Sequence, residues 1–284
     1  MTGTDRSRPT SVYWQVNCAC DERCAFCFGT PGLHDVDPVR CAPVLDSLLA
    51  HGLREFVLVG GEPLLAPRLG ATAALLRDKG ASVGVITNTF LWDYHRPLLE
   101  RSLDVVGVLL EGASEMVHDS VRGPNTLRAV EAFLELYSGS SPFEIVAHTL
   151  VGRHNLNELD ALIYLLDQYG VKQWVWHRVP STVGRRVRKR LEADHSVLCE
   201  AEFQLHLARI RDRAEPCPRI VDGEEERRAR PAIILDSALR VLIERLAKST
   251  DRVEQIVPLD GSDQSVQAAL ESWSGAVEEP ATRC

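Results

Sequence analysis

Apolar residues recur along this chain in short β-rich runs separated by amphipathic stretches, the alternation expected of repeated strand–helix units feeding a parallel sheet. Six runs read as strands: Val12 to Cys18, Glu55 to Val59, Ser82 to Thr87, Val105 to Leu110, Phe143 to Val151 and Trp174 to Val179. Between them Pro43–Ala50, Ala66–Lys79, Thr126–Tyr137 and Asn157–Tyr169 carry helical periodicity, each ending near a glycine able to close a helix in the left-handed region. Six such units predict an α/β fold, a partial (βα)6 barrel over residues 12–182, with the chemistry at the carboxyl ends of its strands. Residues 1–11 read as a flexible N-terminus. Beyond the sixth strand the regularity falls, with a basic run (Arg185, Arg186, Arg188, Lys189, Arg190) and a mixed run over Glu224–Arg230. The segment IILDSALRVLIERL then reads as two short strands around Ser237–Ala238, or as a strand entering a helix. Residues 183–277 are thus expected to form a small C-terminal extension covering the barrel, and 278–284 a disordered tail.

Composition narrows the class of protein. A chain of 284 residues, 45% hydrophobic and 25% charged, can bury one large core. A net charge of −8 provides no basic field, so nucleic acid and acidic membrane surfaces are poor partners and a small-molecule substrate suits better. The opening residues MTGTDRSRPT lack the apolar run of a signal peptide or membrane span, and the expected location is cytoplasmic. Eight cysteines are many for a reducing compartment, but three fall within eight positions, a pattern of ligation rather than of disulfides.

Those three, Cys20, Cys24 and Cys27, stand in CDERCAFCF directly after the first strand, spaced CxxxCxxC. Thiolates suit iron–sulfur clusters, and three of them leave one iron open to a substrate or cofactor. A zinc site completed by a distant residue is the alternative, with Cys18 and Cys41 nearby. After the second strand comes GGEP, Gly60 to Pro63. Its glycines permit close backbone approach to a ligand, and Glu62 offers an acceptor for an ammonium group. Thr87 and Asn88 end the third strand. Glu111 ends the fourth, where a charge beside VVGVLL is costly unless it faces a polar cavity. His148 lies within the fifth strand, Arg153 follows it in LVGRHN, and in WVWHRVPS one of Trp176 and His177 faces the lumen.

CxxxCxxC with an aromatic, Phe26, before its last cysteine, followed by a strand ending in GGEP, resembles the radical S-adenosylmethionine (SAM) superfamily over roughly Val12 to Pro180. The resemblance implies a [4Fe–4S] cluster on Cys20, Cys24 and Cys27, SAM chelated to the open iron, and reductive cleavage of SAM to a 5′-deoxyadenosyl radical. It also implies SAM contacts from Phe26, Gly60, Gly61, Glu62, Pro63, Thr87, Asn88, Glu111, Arg153 and Val179, and a flavodoxin- or ferredoxin-type electron donor. Within the superfamily, the CAFCFGT context and the late ILD segment look most like viperin-like nucleotide dehydratases or nucleoside-antibiotic radical SAM lyases. That likeness implies hydrogen abstraction from the sugar of a nucleoside or nucleotide-like molecule, then dehydration or decarboxylation. Arg23 and Arg122 become phosphate-facing, and His148, His177 and Arg178 become further substrate contacts, with no catalytic acid or base assigned. The fifth strand, FEIVAHT, departs from the pattern, carrying Glu144 and Val146 where those relatives carry a lysine. Two alternatives stay open, a peptide-modifying radical SAM enzyme and a non-catalytic iron–sulfur electron carrier.

Overall fold

Strands β1 (Ser11–Gln15), β2 (Glu55–Val59), β3 (Ser82–Thr87), β4 (Val105–Leu109), β5 (Glu144–Leu150) and β6 (Gln173–His177) occupy the six positions that the apolar runs mark. The computed structural model describes residues 9–24, 26–27, 36–178, 197–214, 218–229, 232–235, 239–245 and 253–277. The six strands pair in chain order and all in parallel. Later residues widen the same sheet on both sides. β7 (Arg219–Asp222) pairs parallel to β6, and β8 (Ala232–Leu235) pairs parallel to β1 at the opposite side. β9 (Arg240–Arg245) and β10 (Val253–Pro258) follow β8 in antiparallel order. The sheet therefore runs β10-β9-β8-β1-β2-β3-β4-β5-β6-β7. IILDSALRVLIERL resolves into two strands, and the segment expected to cover the barrel instead supplies strands at both of its edges.

Among the described residues the helices are α1 (Pro38–Ala50), α2 (Leu69–Asp78), α3 (Trp92–Ser102), α4 (Glu115–Arg122), α5 (Thr126–Tyr137), α6 (Leu159–Gln168), α7 (Glu200–Ala214), α8 (Gly223–Ala229) and α9 (Asp263–Val277). None is long and apolar enough to cross a membrane. Pro43, expected to open the first helix, lies inside it. The true start is Asp37–Pro38, where the Asp37 carboxylate accepts the Val39 N–H at 3.1 Å and Pro38 presets the first helical φ.

Strand alternation divides the sheet into two unlike faces. One carries Trp14, Phe56, Leu58, Val85, Val106, Val108, Trp174 and Trp176 into the main core, together with buried residues of the helices. The other lines the lumen. By register Tyr13, Val57, Gly84 and Val105 form one row of it, and Leu109, His148, Val175 and Val221 form a row nearer the carboxyl ends. A Cβ on Gly107 would stand 2.9 Å from the His148 ring, so glycine there makes room for the imidazole. Of the pair in WVWH, His177 faces the lumen and Trp176 the core, its ring 5.2 Å from Trp174 and 6.0 Å from Phe203.

This division predicts where truncation hurts. Trp174 is fully buried and donates its indole N–H to the Thr149 hydroxyl at 2.7 Å. Trp174→Ala should lower unfolding free energy by about 3–5 kcal/mol in urea titrations followed by circular dichroism. Tyr164→Ala on the exposed face of α6 should stay within about 0.5 kcal/mol of wild type.

Candidate active site

Three loops meet above the carboxyl ends of β1, β2 and β3, and glycine is what lets them. The Gly61 N–H donates to the Asn17 carbonyl at 3.2 Å and the Glu62 N–H to the Ala19 carbonyl at 2.7 Å, zipping the GGEP turn to the chain that leads into the cysteines. A Cβ on Gly60 would come within 2.5 Å of the Asn17 side-chain oxygen, and one on Gly61 within 2.2 Å of the Ala19 carbonyl. The absence of side chains at these glycines thus lets the turn approach Asn17 and Ala19 of the loop that leads into the cysteines.

Glu62 ties the third loop in. One carboxylate oxygen accepts the Leu64 N–H at 2.9 Å and the Thr87 hydroxyl at 2.5 Å; the other accepts the Asn88 N–H at 2.8 Å. Two donors saturate the first oxygen, and the second keeps a lone-pair site for one more donor. Pro63 opens a short 3₁₀ turn that Glu62 caps. Asn88 reaches back to the cysteine loop, its amide donating to Asp21 at 2.7 Å. Burial pushes the Glu62 carboxyl up to about 7 despite these hydrogen bonds.

On the opposite side a buried charge chain runs from β4 to the cysteines. The Glu111 carboxylate accepts the Leu150 N–H at 2.8 Å and takes the Arg122 guanidinium at 2.6 and 3.2 Å. Arg122 also donates to Glu22 at 3.1 Å, lies 3.8 Å from the Cys24 sulfur and stacks over the Phe26 ring at 5.5 Å. Phe26 and Leu150 form a small apolar cluster against which Cys24, Val121 and Val197 pack. Behind Glu111, Asn155 donates to the Glu111 and Leu150 carbonyls, and His118 accepts the Glu111 N–H through Nδ1. That acceptor role requires neutral imidazole, and burial together with the Arg122 charge holds His118 down to about 3.

Several sequence expectations move. Arg122 is buried and shared between two carboxylates, so it is not open to a phosphate. Glu111 holds Arg122 through one carboxylate oxygen and accepts the Leu150 N–H with the other. Arg153 is exposed and pairs with Glu202 on α7. Its neighbour His154 turns inward instead, 6.5 Å from Phe26, with both ring nitrogens buried and unpaired. Arg178 pairs with Glu200 and Glu224, and Arg23 is exposed. His148 and His177 are brought together, Nδ1 to Nε2 at 2.9 Å with near-parallel rings, and burial holds His148 down to about 4. Val179 lies outside the described residues. Sequence reading missed Glu22, His118, His154 and Asn155. HN within LVGRHN and the DER between the cysteines are their only local signals.

Cys20 and Cys27 are exposed, Cys24 is half-buried and none of the three is in a disulfide, whereas Cys41 sits in the main core. Among the described residues no three of His, Cys, Asp and Glu stand together as a single-ion site. Burial, with Glu22 and Asp21 adding to it, pushes the Cys20 thiol up to about 11; burial pushes Cys24 further, so loading a cluster must displace protons.

A three-cysteine loop after β1, braced by a glycine turn after β2 over an open parallel half-barrel, defines a class. The radical SAM superfamily model matches residues 14–166, more than half of the chain, and the chain belongs to that superfamily, whose members use a [4Fe–4S] cluster and SAM. In sequence it is similar to the mycofactocin maturase MftC of Mycobacterium ulcerans (strain Agy99), 26% identical over 191 residues, 64% of this chain and 51% of that protein. It is also similar to the sporulation killing factor maturation protein SkfB of Bacillus subtilis (strain 168), 28% identical over 124 residues, 42% of this chain and 30% of that one. The chain spans about half the length of the MftC proteins it matches. In fold it is similar to Streptococcus suis SuiB bound to S-adenosylmethionine, with a TM-score of 0.67, 12% identity, and 87% and 63% of the two chains covered.

The Glu62 environment gives a signed pH test. Because its folded-state pKa is raised above the ordinary carboxylate value of 4.5, the stability it contributes is complete below that value and is lost as pH rises through about 7. In cluster-free protein, Glu62→Gln should remove this slope. The stability of the variant relative to wild type, measured by urea titration, should rise by up to about 3 kcal/mol between pH 4.5 and pH 8.

Proposed function

We propose that this chain is a radical SAM catalytic unit that acts on a peptide. Cys20, Cys24 and Cys27 would hold the cluster, and the bound cluster and SAM would supply a 5′-deoxyadenosyl radical for hydrogen abstraction. The remaining work falls to the protein. Gly60, Gly61 and Glu62 fix the cysteine loop in register. Asn88 braces that loop from β3. Phe26 and Leu150 shield one side of it from water, and the lumen below presents mostly aliphatic residues and the His148–His177 pair. The free lone-pair site on Glu62 suits an ammonium donor such as that of SAM. A flavodoxin- or ferredoxin-type protein would deliver the electron.

The observation that carries the substrate class is the company the sequence keeps. Two relatives at 26% and 28% identity are a mycofactocin maturase and a sporulation killing factor maturation protein. A second structure of Streptococcus suis SuiB is of the protein bound to precursor peptide SuiA. The arginines weigh the same way. A triphosphate needs several converging cations, yet Arg122, Arg153 and Arg178 are each committed to carboxylates. Sugar abstraction from a nucleotide, followed by dehydration or decarboxylation, therefore becomes the second reading.

Anaerobic reconstitution, reduction with dithionite and addition of SAM should yield 5′-deoxyadenosine, and Cys24→Ala should lose both cluster absorbance and at least about 100-fold of that product. Peptides translated from short reading frames beside the gene should raise 5′-deoxyadenosine and change mass, while nucleoside triphosphates should do neither. Stimulation by a nucleotide would restore the second reading, and an intact cluster without any SAM cleavage would favour the electron carrier.

A further inference from the structure

A buried arginine held against one ligand cysteine has a use beyond bracing the loop. Arg122 is delivered by the last turn of α4, and its side chain is only 6% exposed. Glu111 grips the Nε and Nη2 side, Glu22 grips Nη1, and the Phe26 ring lies beneath, so the guanidinium is fixed with Nη1 3.8 Å from the Cys24 sulfur. Glu111 is itself fixed by the Leu150 N–H. We infer that Arg122 sets the reduction potential of the cluster through Cys24, with Glu111 as its positioning residue and Glu22 as an opposing charge. The inference rests on reading Cys20, Cys24 and Cys27 as the cluster ligands.

The physics is a matter of sign. Reduction takes one electron from an external donor into the cluster, [4Fe–4S]²⁺ becoming [4Fe–4S]⁺, with no bond made or broken and no proton transferred in the step. A fixed cation beside a ligand sulfur in a poorly solvated pocket favours the form with the extra negative charge, and a carboxylate disfavours it. Glu22 stands in the same shell and touches the sulfur directly: its Oε2 accepts both Arg122 and the Cys24 thiol at 3.1 Å, and its second carboxylate oxygen is buried and unpaired.

The test is an anaerobic potentiometric titration of reconstituted protein with titanium(III) citrate, read by the electron paramagnetic resonance signal of the reduced cluster. Arg122→Gln should lower the potential and Glu22→Gln should raise it, each by at least about tenfold in the reduction equilibrium, or 59 mV for one electron. Arg122→Lys, which keeps the charge but not the fork, should fall between wild type and Arg122→Gln. If Arg122→Gln does not fold, Glu22→Gln and Arg122→Lys carry the test alone. Iron and sulfide per chain separate the two failures. A wild type that binds no cluster defeats the ligand assignment, while variants with full clusters and potentials within about threefold of wild type, or shifted in the same direction, overturn the role of Arg122.

Discussion

The site depends on a contact that tolerates no side chain. With 2.2 Å between the Ala19 carbonyl and the place a Gly61 Cβ would take, any other residue would drive the turn after β2 away from the cysteine loop. The backbone hydrogen bonds from Gly61 and Glu62 would go with it. Glu62 then extends the junction to the end of β3, so a loop with little core of its own is held by the edges of three strands. A cluster needs its thiolates in fixed relative positions, and rigidity here comes from backbone contact and one buried carboxylate rather than from apolar packing.

Electrostatics on the other side of the loop carry a different load. Glu111, Arg122 and Glu22 are all withdrawn from water, an arrangement whose desolvation offsets much of its Coulomb attraction, and breaking such a chain by removing one member costs about 3–5 kcal/mol. Hydrophobic residues could have filled the space with less risk. Buried charge beside Cys24 is explained if it acts on the bound group as well as on the fold. The His148–His177 pair, seated over Gly107, is the corresponding polar feature of the lumen floor.

The six central strands were legible because each is a short β-rich run bounded by turns. β7 to β10 were harder to place because they are short, stand among charged residues, and in the case of β8 pair with β1 from the far end of the chain. α3 is hidden by Pro97 in its middle, and α4 by an inward face made of His118 and Arg122 instead of apolar side chains. The cysteines and GGEP could be found because their spacing is local. The partnership of Glu22 with Arg122 spans a hundred positions and has no such signature. Between Arg153 and His154, a single step of the chain decides which faces solvent and which the cluster loop, and periodicity says nothing about that inside a loop. Substrate class was least legible of all, since the lumen draws its lining from every strand.

The most direct measurement is Mössbauer spectroscopy of ⁵⁷Fe-reconstituted protein with and without SAM. Three cysteine ligands on one open-iron cluster predict that about a quarter of the iron signal shifts when SAM binds, while the rest stays unchanged. Four equivalent irons indifferent to SAM, or no cluster at all, would contradict the account.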